Sequence, residues 1–329
     1  MDALPSRTRG GPSGRPILVT GSHRSGSTWV GHVLALAAGT GYIHEPFNRN
    51  TSPGICRARF PANLTYVTEA NEAPYLAGLR DTLAWRYDLG AALPTMRRPL
   101  DLARIARDFA YFEGKRRRRA RPIMKDPIAL FSTEWLARRF DMQVVVIIRR
   151  PAAFVASVIA AGWYKYPFRQ LLCQPALMED CLAPFRGDIE AAAAEQPDPV
   201  RTGTLLWLIT HHHIETLRQR HPDWIFVRHE DLVQDPETGF RAIYEPLGLE
   251  FTPEVAAGIR ALSAPKRARR LPSLFRNRAR VSRDSKEAAG LFRKRLSDED
   301  TMHRTPLIIG RFPFVSSDSR NVPRAERSS

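Results

Sequence analysis

The feature that most constrains the fold of this chain is a strand, a small-residue loop and a helix within residues 16–38. Residues 17–20 form a short apolar run with β-branched side chains, which predicts a buried strand. From Trp29 onward apolar residues recur at helical spacing until Gly39. The loop between them, residues 21–28, enters a helix N-terminus, where backbone N–H groups and the helix dipole favour an anion. The stretch therefore predicts an α/β fold with an anion cradle.

The loop has the spacing of a Walker A motif with one decisive difference. Gly21 and Gly26 are five residues apart, but Ser27 stands where the motif has its lysine, and the nearest cation is Arg24 within the loop. The loop is thus poorly suited to a nucleoside triphosphatase and suited to another doubly anionic group. An ordinary glycine-rich turn of a doubly wound sheet is the alternative.

A second stretch supports a phosphate site. Residues 143–148 are the most strand-like run of the chain, and they lead into Arg149 and then Pro151, which is well placed as the first residue of a helix. Ser157 lies about 9 Å further along that helix, at 1.5 Å per residue. Arg149 and Ser157 could close on one phosphate. The alternative is an exposed arginine and a serine on a helix surface.

Together, these residues resemble the two cofactor signatures of the sulfotransferases that use PAPS (3′-phosphoadenosine 5′-phosphosulfate). The resemblance continues in order over about residues 16–305, through segments 44–47, 125–127, 228–232 and 283–296. The arginine in the loop and the Glu-Pro-Phe segment are closer to the carbohydrate and bacterial branch. The resemblance implies a P-loop-like parallel sheet flanked by helices, with PAPS as co-substrate and no metal.

The resemblance also implies roles for individual residues. The first loop would hold the 5′-phosphosulfate, and the second pair would anchor the 3′-phosphate. A glutamate would take the proton of the acceptor hydroxyl, and a lysine would stabilise the developing charge. The implied cofactor-binding residues are Arg24, Ser25, Gly26, Ser27, Thr28, Trp29, Arg149 and Ser157, and the implied catalytic residues are Glu45, Lys125 and Arg24.

Alternatives stay open for the two catalytic side chains. Glu45, which Pro46 should keep extended, could instead face solvent or pair with an arginine. His44 is the second candidate base. Lys125 lies beside the first loop if its strand neighbours the first strand. It could instead pair with Asp126 or a backbone carbonyl.

The formal net charge of +16 raises three further possibilities. Two basic runs, residues 115–121 and 266–280, could bind nucleic acid, an anionic membrane surface or an anionic substrate. The alternative is surface charge that serves only solubility. The runs lack the interleaved aromatic residues of a base-stacking surface, so we expect no nucleic-acid partner. The resemblance implies a small-molecule or glycan acceptor instead. A P-loop nucleotide kinase with a degenerate loop and a basic nucleic-acid-binding protein remain the alternative functions.

Composition and length predict one domain over residues 15–315, with disordered tails at 1–14 and 316–329. No apolar run is long enough to span a membrane, and no apolar segment follows the basic residues near the start, so we expect no signal peptide. Three cysteines without metal spacing suit a cytoplasmic protein, with peripheral binding at the inner membrane surface as an option. Residues 162–199 should be irregular, as a mobile acceptor-side lid or a packed connector.

Overall fold

The computed structural model of the chain describes residues 14–163 and 165–263. In this part of the chain the strands are β1 (Ile17–Gly21), β2 (Thr40–His44), β3 (Arg121–Lys125), β4 (Gln143–Ile148) and β5 (Ile225–Arg228). They form one sheet in the order β2-β3-β1-β4-β5, and every pairing is parallel. The predicted α/β fold with a P-loop-like parallel sheet is confirmed.

Helices of very different length connect the strands and cover both faces of the sheet. They are α1 (Ser27–Leu34), α2 (Ala73–Leu83), α3 (Leu89–Ala92), α4 (Pro99–Arg117), α5 (Thr133–Arg139), α6 (Pro151–Ala160), α7 (Arg169–Leu172), α8 (Pro175–Asp180), α9 (Arg186–Ala194), α10 (Pro199–Arg220), α11 (His229–Gln234), α12 (Pro236–Tyr244) and α13 (Pro253–Ser263). Short 3-10 turns lie at Leu93–Thr95, Pro127–Ser132 and Ala183–Phe185.

The alternation of side chains along the strands divides the core into two layers. Ile17 and Val19 of β1 are buried on the face covered by α1, α12 and α13. Leu18 points to the opposite face, whose core includes buried residues of α6 and α10. Because both faces are covered, the strands read as continuous apolar runs, which is typical of a parallel sheet.

The strand order brings the carboxyl ends of β1, β3 and β4 together. Val19 lies opposite Lys125 on one side, and Gly21 lies opposite Ile147 on the other. Gly21 has φ 135°, and a Cβ there would lie 2.3 Å from the carbonyl oxygen of Ile147, so only glycine fits. The chain can therefore leave β1 in a tight loop beside the ends of both neighbours.

Helix α4 runs along the outer edge of β2. The Tyr111 hydroxyl accepts from Tyr42 N at 2.9 Å and donates to Tyr42 O at 3.1 Å. Lys115 Nζ donates to Thr40 O at 2.6 Å. Later residues of α4 thus meet earlier residues of β2, so the helix is antiparallel to the strand. The helix ends at Arg117 and therefore takes in the start of the first basic run.

The prediction of an irregular segment at 162–199 is wrong in part, because α7, α8 and α9 lie within it. Leu171, Leu177 and Phe185 of this segment are fully buried in the core, which favours the packed connector over the mobile lid. Three predicted segments lie outside the described residues: the basic run 266–280, residues 283–296 and the tail 316–329. The described residues include only the last residue of the predicted tail 1–14 and only part of the predicted domain 15–315. No helix among the described residues is long and apolar enough to cross a membrane.

Candidate active site

The loop after β1 has the curved backbone that an anion cradle requires. Arg24 has φ 62° and Gly26 has φ 94°, both in the left-handed region. Helix α1 begins at Ser27, and Val30 N donates to Gly26 O at 3.2 Å as in a regular helix. The first amides of α1 precede that bond and have no partner within the helix. They remain available, with the positive end of the helix dipole, for an anion in front of the loop.

Buried polar atoms in this loop lack partners among the described residues. They are the hydroxyl oxygens of Ser22 and Ser25 and the indole nitrogen of Trp29. A buried polar group without a hydrogen bond costs about 1–3 kcal/mol. Such a cluster at a helix N-terminus fits a ligand rich in oxygen acceptors, and three of the predicted residues (Ser25, Gly26 and Trp29) lie in or beside it.

Arg149 joins this loop from the end of β4. Its side chain is buried, and one terminal nitrogen donates to the backbone oxygen of Arg24. Its Nε has no hydrogen-bond partner among the described residues. Burial lowers the pKa of Arg149 to about 10, and nearby Arg24 adds to this effect while Glu230 opposes it. A guanidinium that is dehydrated beside a second cation is well placed to bind an anion.

Ser157 contacts the other predicted arginine. Arg24 Nε donates to Ser157 Oγ at 3.0 Å, across the gap between the loop and α6. The structure therefore places Ser157 against the Arg24 side chain and Arg149 against the Arg24 backbone. That Arg149 and Ser157 close on one phosphate stays a prediction. The backbone of Arg149 is held by α10, because Trp207 Nε1 donates to its carbonyl oxygen at 2.9 Å.

Glu45 and Lys125 form an ion pair next to the loop. Lys125 Nζ lies 2.5 Å from Glu45 Oε1, and the lysine side chain is fully buried. Glu45 Oε2 accepts from Asn48 Nδ2 at 2.9 Å, and Glu45 N donates to Lys125 O at 2.8 Å. Burial alone would raise the pKa of Glu45, but the charge of Lys125 holds it below its ordinary value. The carboxylate is thus ionised and fixed.

The structure contradicts one prediction about these side chains and one alternative. Glu45 has φ 45°, so Pro46 does not keep it extended. The bonds from Lys125, Asn48 and Thr51, whose hydroxyl donates to Glu45 O at 2.6 Å, stabilise this left-handed backbone. Lys125 pairs with Glu45 and not with Asp126, whose carboxylate instead accepts backbone N–H groups.

His44 extends the polar group around Glu45. Its Nδ1 lies 3.0 Å from the Tyr42 hydroxyl, and its Nε2 lies 3.8 Å from Glu45 Oε2. Burial lowers the pKa of His44 to about 4, and Lys125 contributes to the shift. At neutral pH His44 is therefore uncharged, and its hydrogen bond is with the Tyr42 hydroxyl. Glu45, which carries the negative charge, is the better candidate for the base.

Sequence reasoning missed two residues at the site. His229 begins α11. A Cβ at Gly26 would lie only 2.4 Å from its Nδ1, so the imidazole packs directly against the loop. Its position directly after a predicted strand was a usable signal. Trp163, half-exposed after α6, meets the His23 ring edge-on at 5.6 Å and lies 5.8 Å from Arg24 Cζ. No spacing rule points to it.

Metal ligands do not cluster in the part of the chain that the structure describes. No three histidine, cysteine, aspartate or glutamate side chains lie close enough there to hold an ion. That the reaction needs no metal stays a prediction.

Comparison with known proteins adds to this geometry. A family model described as a sulfotransferase family matches residues 16–253, which include every residue of the candidate site described above. A search of curated protein sequences gave no match.

Several solved structures are similar in outline. The sulfotransferase domain from the curacin biosynthetic pathway is 17% identical, with a TM-score of 0.42, and covers 74% of this chain and 77% of its own. The sulfotransferase domain of the Synechococcus PCC 7002 olefin synthase is 18% identical, with a TM-score of 0.37, over 88% and 96%. Sulfotransferase STF1 from Mycobacterium tuberculosis H37Rv is 16% identical, with a TM-score of 0.36, over 76% and 72%.

The family match spans well over half of the chain and begins at the strand that feeds the anion cradle. Its range also holds the glutamate–lysine pair and the second arginine. The chain belongs to the sulfotransferase family.

Proposed function

We propose that this protein transfers the sulfuryl group of PAPS to an acceptor hydroxyl on a carbohydrate or glycolipid. One observation carries the proposal: beside a helix N-terminus, the Arg149 guanidinium donates to the Arg24 backbone and the Arg24 guanidinium contacts Ser157. PAPS is anionic at its 5′-phosphosulfate and again at its 3′-phosphate, so it matches two adjoining cationic sites. A family that transfers sulfuryl groups needs such a donor site.

The described residues fit the two ends of this co-substrate. The first amides of α1, the Ser25, Ser27 and Thr28 side chains and Arg24 would hold the 5′-phosphosulfate, with Trp29 behind them. Arg149 and Ser157 would hold the 3′-phosphate. The unpartnered Nε of Arg149 and hydroxyl of Ser25 would then gain acceptors. Arg24 already contacts Ser157, so it would adjust when the serine turns to the phosphate.

The transfer itself is an in-line displacement in which positioning and charge stabilisation carry most of the catalysis. The acceptor oxygen forms a bond to sulfur while the bond from sulfur to the phosphate oxygen breaks. Glu45 takes the proton of the acceptor hydroxyl, and Lys125 stabilises charge on the transferring group while orienting the carboxylate. Arg24 neutralises charge on the leaving phosphate.

The groups around Glu45 favour a hydroxyl-rich acceptor. Tyr42, His44 and Asn48 place a hydroxyl, a neutral imidazole and an amide within reach of the carboxylate or its neighbours. Half-exposed Trp163 adds an aromatic face beside Arg24, of the kind on which a sugar ring can pack. The three cysteines are free thiols, which suits the cytoplasmic setting that we propose.

The test is ligand protection against thermal unfolding. We expect PAP, the desulfated product, to raise the Tm strongly, and neither ATP with magnesium nor an oligonucleotide to match it. Arg149→Ala should weaken PAP binding about 10- to 100-fold, because a charge-assisted hydrogen bond contributes about 1.5–3 kcal/mol. The adjacent, exposed Arg150→Ala is the matched control and should bind PAP like the wild type.

Two results would count against the proposal. One is a wild-type Tm that PAP does not change, and the other is equal protection of Arg149→Ala and Arg150→Ala. Transfer of radiolabelled sulfate from PAPS to a panel of glycans, glycolipids and small phenols would identify the acceptor class.

A further inference from the structure

An exposed apolar segment precedes α4 and has no role in the site described above. All eight residues of 93–100, with the sequence LPTMRRPL, are exposed. Leu93, Met96 and Leu100 are 43%, 41% and 79% exposed. Exposed apolar side chains that form a contiguous patch rimmed by polar residues mark protein or membrane interaction sites. We call residues 93–100 the apolar tip.

The charges of the apolar tip are all positive. Arg97 and Arg98 lie between the aliphatic residues, and the segment contains no acidic residue. The nearest acid in sequence, Asp101, is engaged by the helix start, since it accepts from Arg97 N at 2.9 Å and Arg98 N at 3.0 Å. Aliphatic side chains interspersed with arginines are typical of segments that lie in the interface of an anionic bilayer.

The apolar tip lies on the same side of the molecule as the candidate active site. Because α4 runs antiparallel to β2 with Tyr111 beside Tyr42, its first residue, Pro99, lies about 18 Å from that contact toward the carboxyl end of β2. The strand itself ends at His44, only about 7 Å beyond Tyr42. The start of α4 therefore extends about 11 Å past the edge of the sheet at which Glu45 and the anion cradle lie.

Charge favours a membrane over the other occupants of such a surface. The surrounding segment, residues 86–119, carries ten basic and four acidic side chains. Residues 264–329 of this chain carry seventeen basic and seven acidic side chains, so the positive segment around the apolar tip would repel them. It would also repel a second copy of the chain, whose net charge is +16. Each lysine or arginine near an anionic bilayer adds attraction instead.

We propose that the apolar tip inserts into the headgroup region of an anionic lipid bilayer and turns the active-site edge of the sheet toward the membrane. Leu93, Met96 and Leu100 would enter the interface, while Arg97 and Arg98 would meet lipid phosphates. The docking stands on exposure, position and charge alone. Its consequence, that the acceptor hydroxyl is carried on a lipid headgroup, rests on the proposed function.

The experiment is co-sedimentation of the full chain with vesicles in the absence of PAP. We expect binding to vesicles of phosphatidylcholine with phosphatidylglycerol and little binding to phosphatidylcholine alone. The triple variant Leu93→Ser, Met96→Ser, Leu100→Ser should bind the anionic vesicles at least tenfold more weakly. Arg97→Gln with Arg98→Gln should also lose about tenfold or more.

The matched control is Arg169→Gln with Arg186→Gln, which removes the same charge from exposed positions outside the apolar tip. It should keep most of the binding, and all variants should keep the wild-type Tm. Equal loss in the control, unchanged binding of the triple variant, or no binding of the wild type to anionic vesicles would each overturn the proposal. Since PAP protection is measured separately, a chain that binds PAP but not vesicles fails only this inference.

Discussion

Lys125 and Glu45 show how one contact can serve both the fold and the reaction. The ammonium group is fully buried, and its partner is a carboxylate whose side chain is only 17% exposed. Removal of one member of a buried pair leaves an uncompensated charge and typically costs about 3–5 kcal/mol. Loss of activity after truncation of Glu45 could therefore reflect damage to the fold, so the test of its role has to preserve the hydrogen bond.

Glu45→Gln is that test. The amide oxygen can still accept from Lys125, but it cannot take a proton from the acceptor. Because the amide also leaves the lysine charge without a counter-ion, the Tm of the variant without ligand is compared with that of the wild type. We expect kcat to fall about 10²- to 10⁴-fold, while PAP affinity stays within a few-fold of the wild type. The measurement is steady-state sulfate transfer combined with PAP protection, with the exposed Glu69→Gln as control. A Glu45→Gln enzyme of normal kcat would show that another group is the base.

At the scale of elements, the loop between β1 and α1 depends on support from a distant strand. Gly26 needs its left-handed backbone to turn the chain into α1, and it also lies directly against the ring of His229, which follows β5. The ring is nearly uncharged at all ordinary pH values, because burial lowers the pKa of His229 to about 3 and Arg149 adds to the shift. A neutral ring can pack against the cradle without adding a second positive charge that would draw the anion away from the loop.

Comparing Gly26→Ala with Gly39→Ala distinguishes the cost of backbone strain from the cost of a steric clash with His229. Both Gly26 and Gly39 have positive φ, but a Cβ at Gly39 would have nothing within 4 Å, while one at Gly26 would collide with His229. Gly39→Ala should cost only the backbone strain, about 1 kcal/mol. Gly26→Ala should cost more and weaken PAP binding more than tenfold. Urea denaturation and PAP titration of both variants check this, and similar behaviour of the two would contradict the packing described.

Much of the sheet could be predicted from sequence because its strands are short apolar runs bounded by loop residues. The segments before Gly21, Lys125, Arg149 and Arg228 all form strands, in the parallel arrangement expected. The helices of 162–199 were less visible, since α7 and α8 have only four and six residues and carry little periodicity.

At the site, the residue types and the edge of the sheet at which they lie could be predicted, but the individual side-chain contacts could not. The order of motifs indicated that the loop after β1 and the residues after β4 lie at the same edge of the sheet, whereas the bond from Arg24 to Ser157 depends on side-chain torsions. The left-handed backbone of Glu45 results from tertiary bonds to Lys125 and Asn48 that override the local preference before proline.

At the scale of the whole molecule, buried histidines tie stability to pH. Burial lowers the pKa of His23, His211 and His213 to about 4 in each case. In the unfolded chain each would titrate near 6.5. Between these values the unfolded state binds more protons, so the free energy of unfolding decreases as the pH falls from about 6.5 toward 4 and is unaffected by these groups above that range.

We therefore expect acid unfolding to begin unusually close to neutrality. Each of the three histidines contributes up to about 2 kcal/mol of destabilisation at pH 5, which is large against a typical total of about 5–15 kcal/mol. Urea denaturation at pH 5, 6 and 7.5 measures the slope, and His213→Gln should flatten it. Equal free energies of unfolding at pH 5 and pH 7.5 would contradict the prediction.

The contact of α4 with β2 has a consequence for self-association. An edge strand normally leaves its peptide groups open to a strand from another molecule, which is a common start of aggregation. Here Tyr111 and Lys115 bond to Tyr42 and Thr40 on the outer side of β2, and the body of α4 lies in the way. Copies of this protein that are concentrated on a membrane surface therefore cannot pair strand to strand at the β2 edge of the sheet.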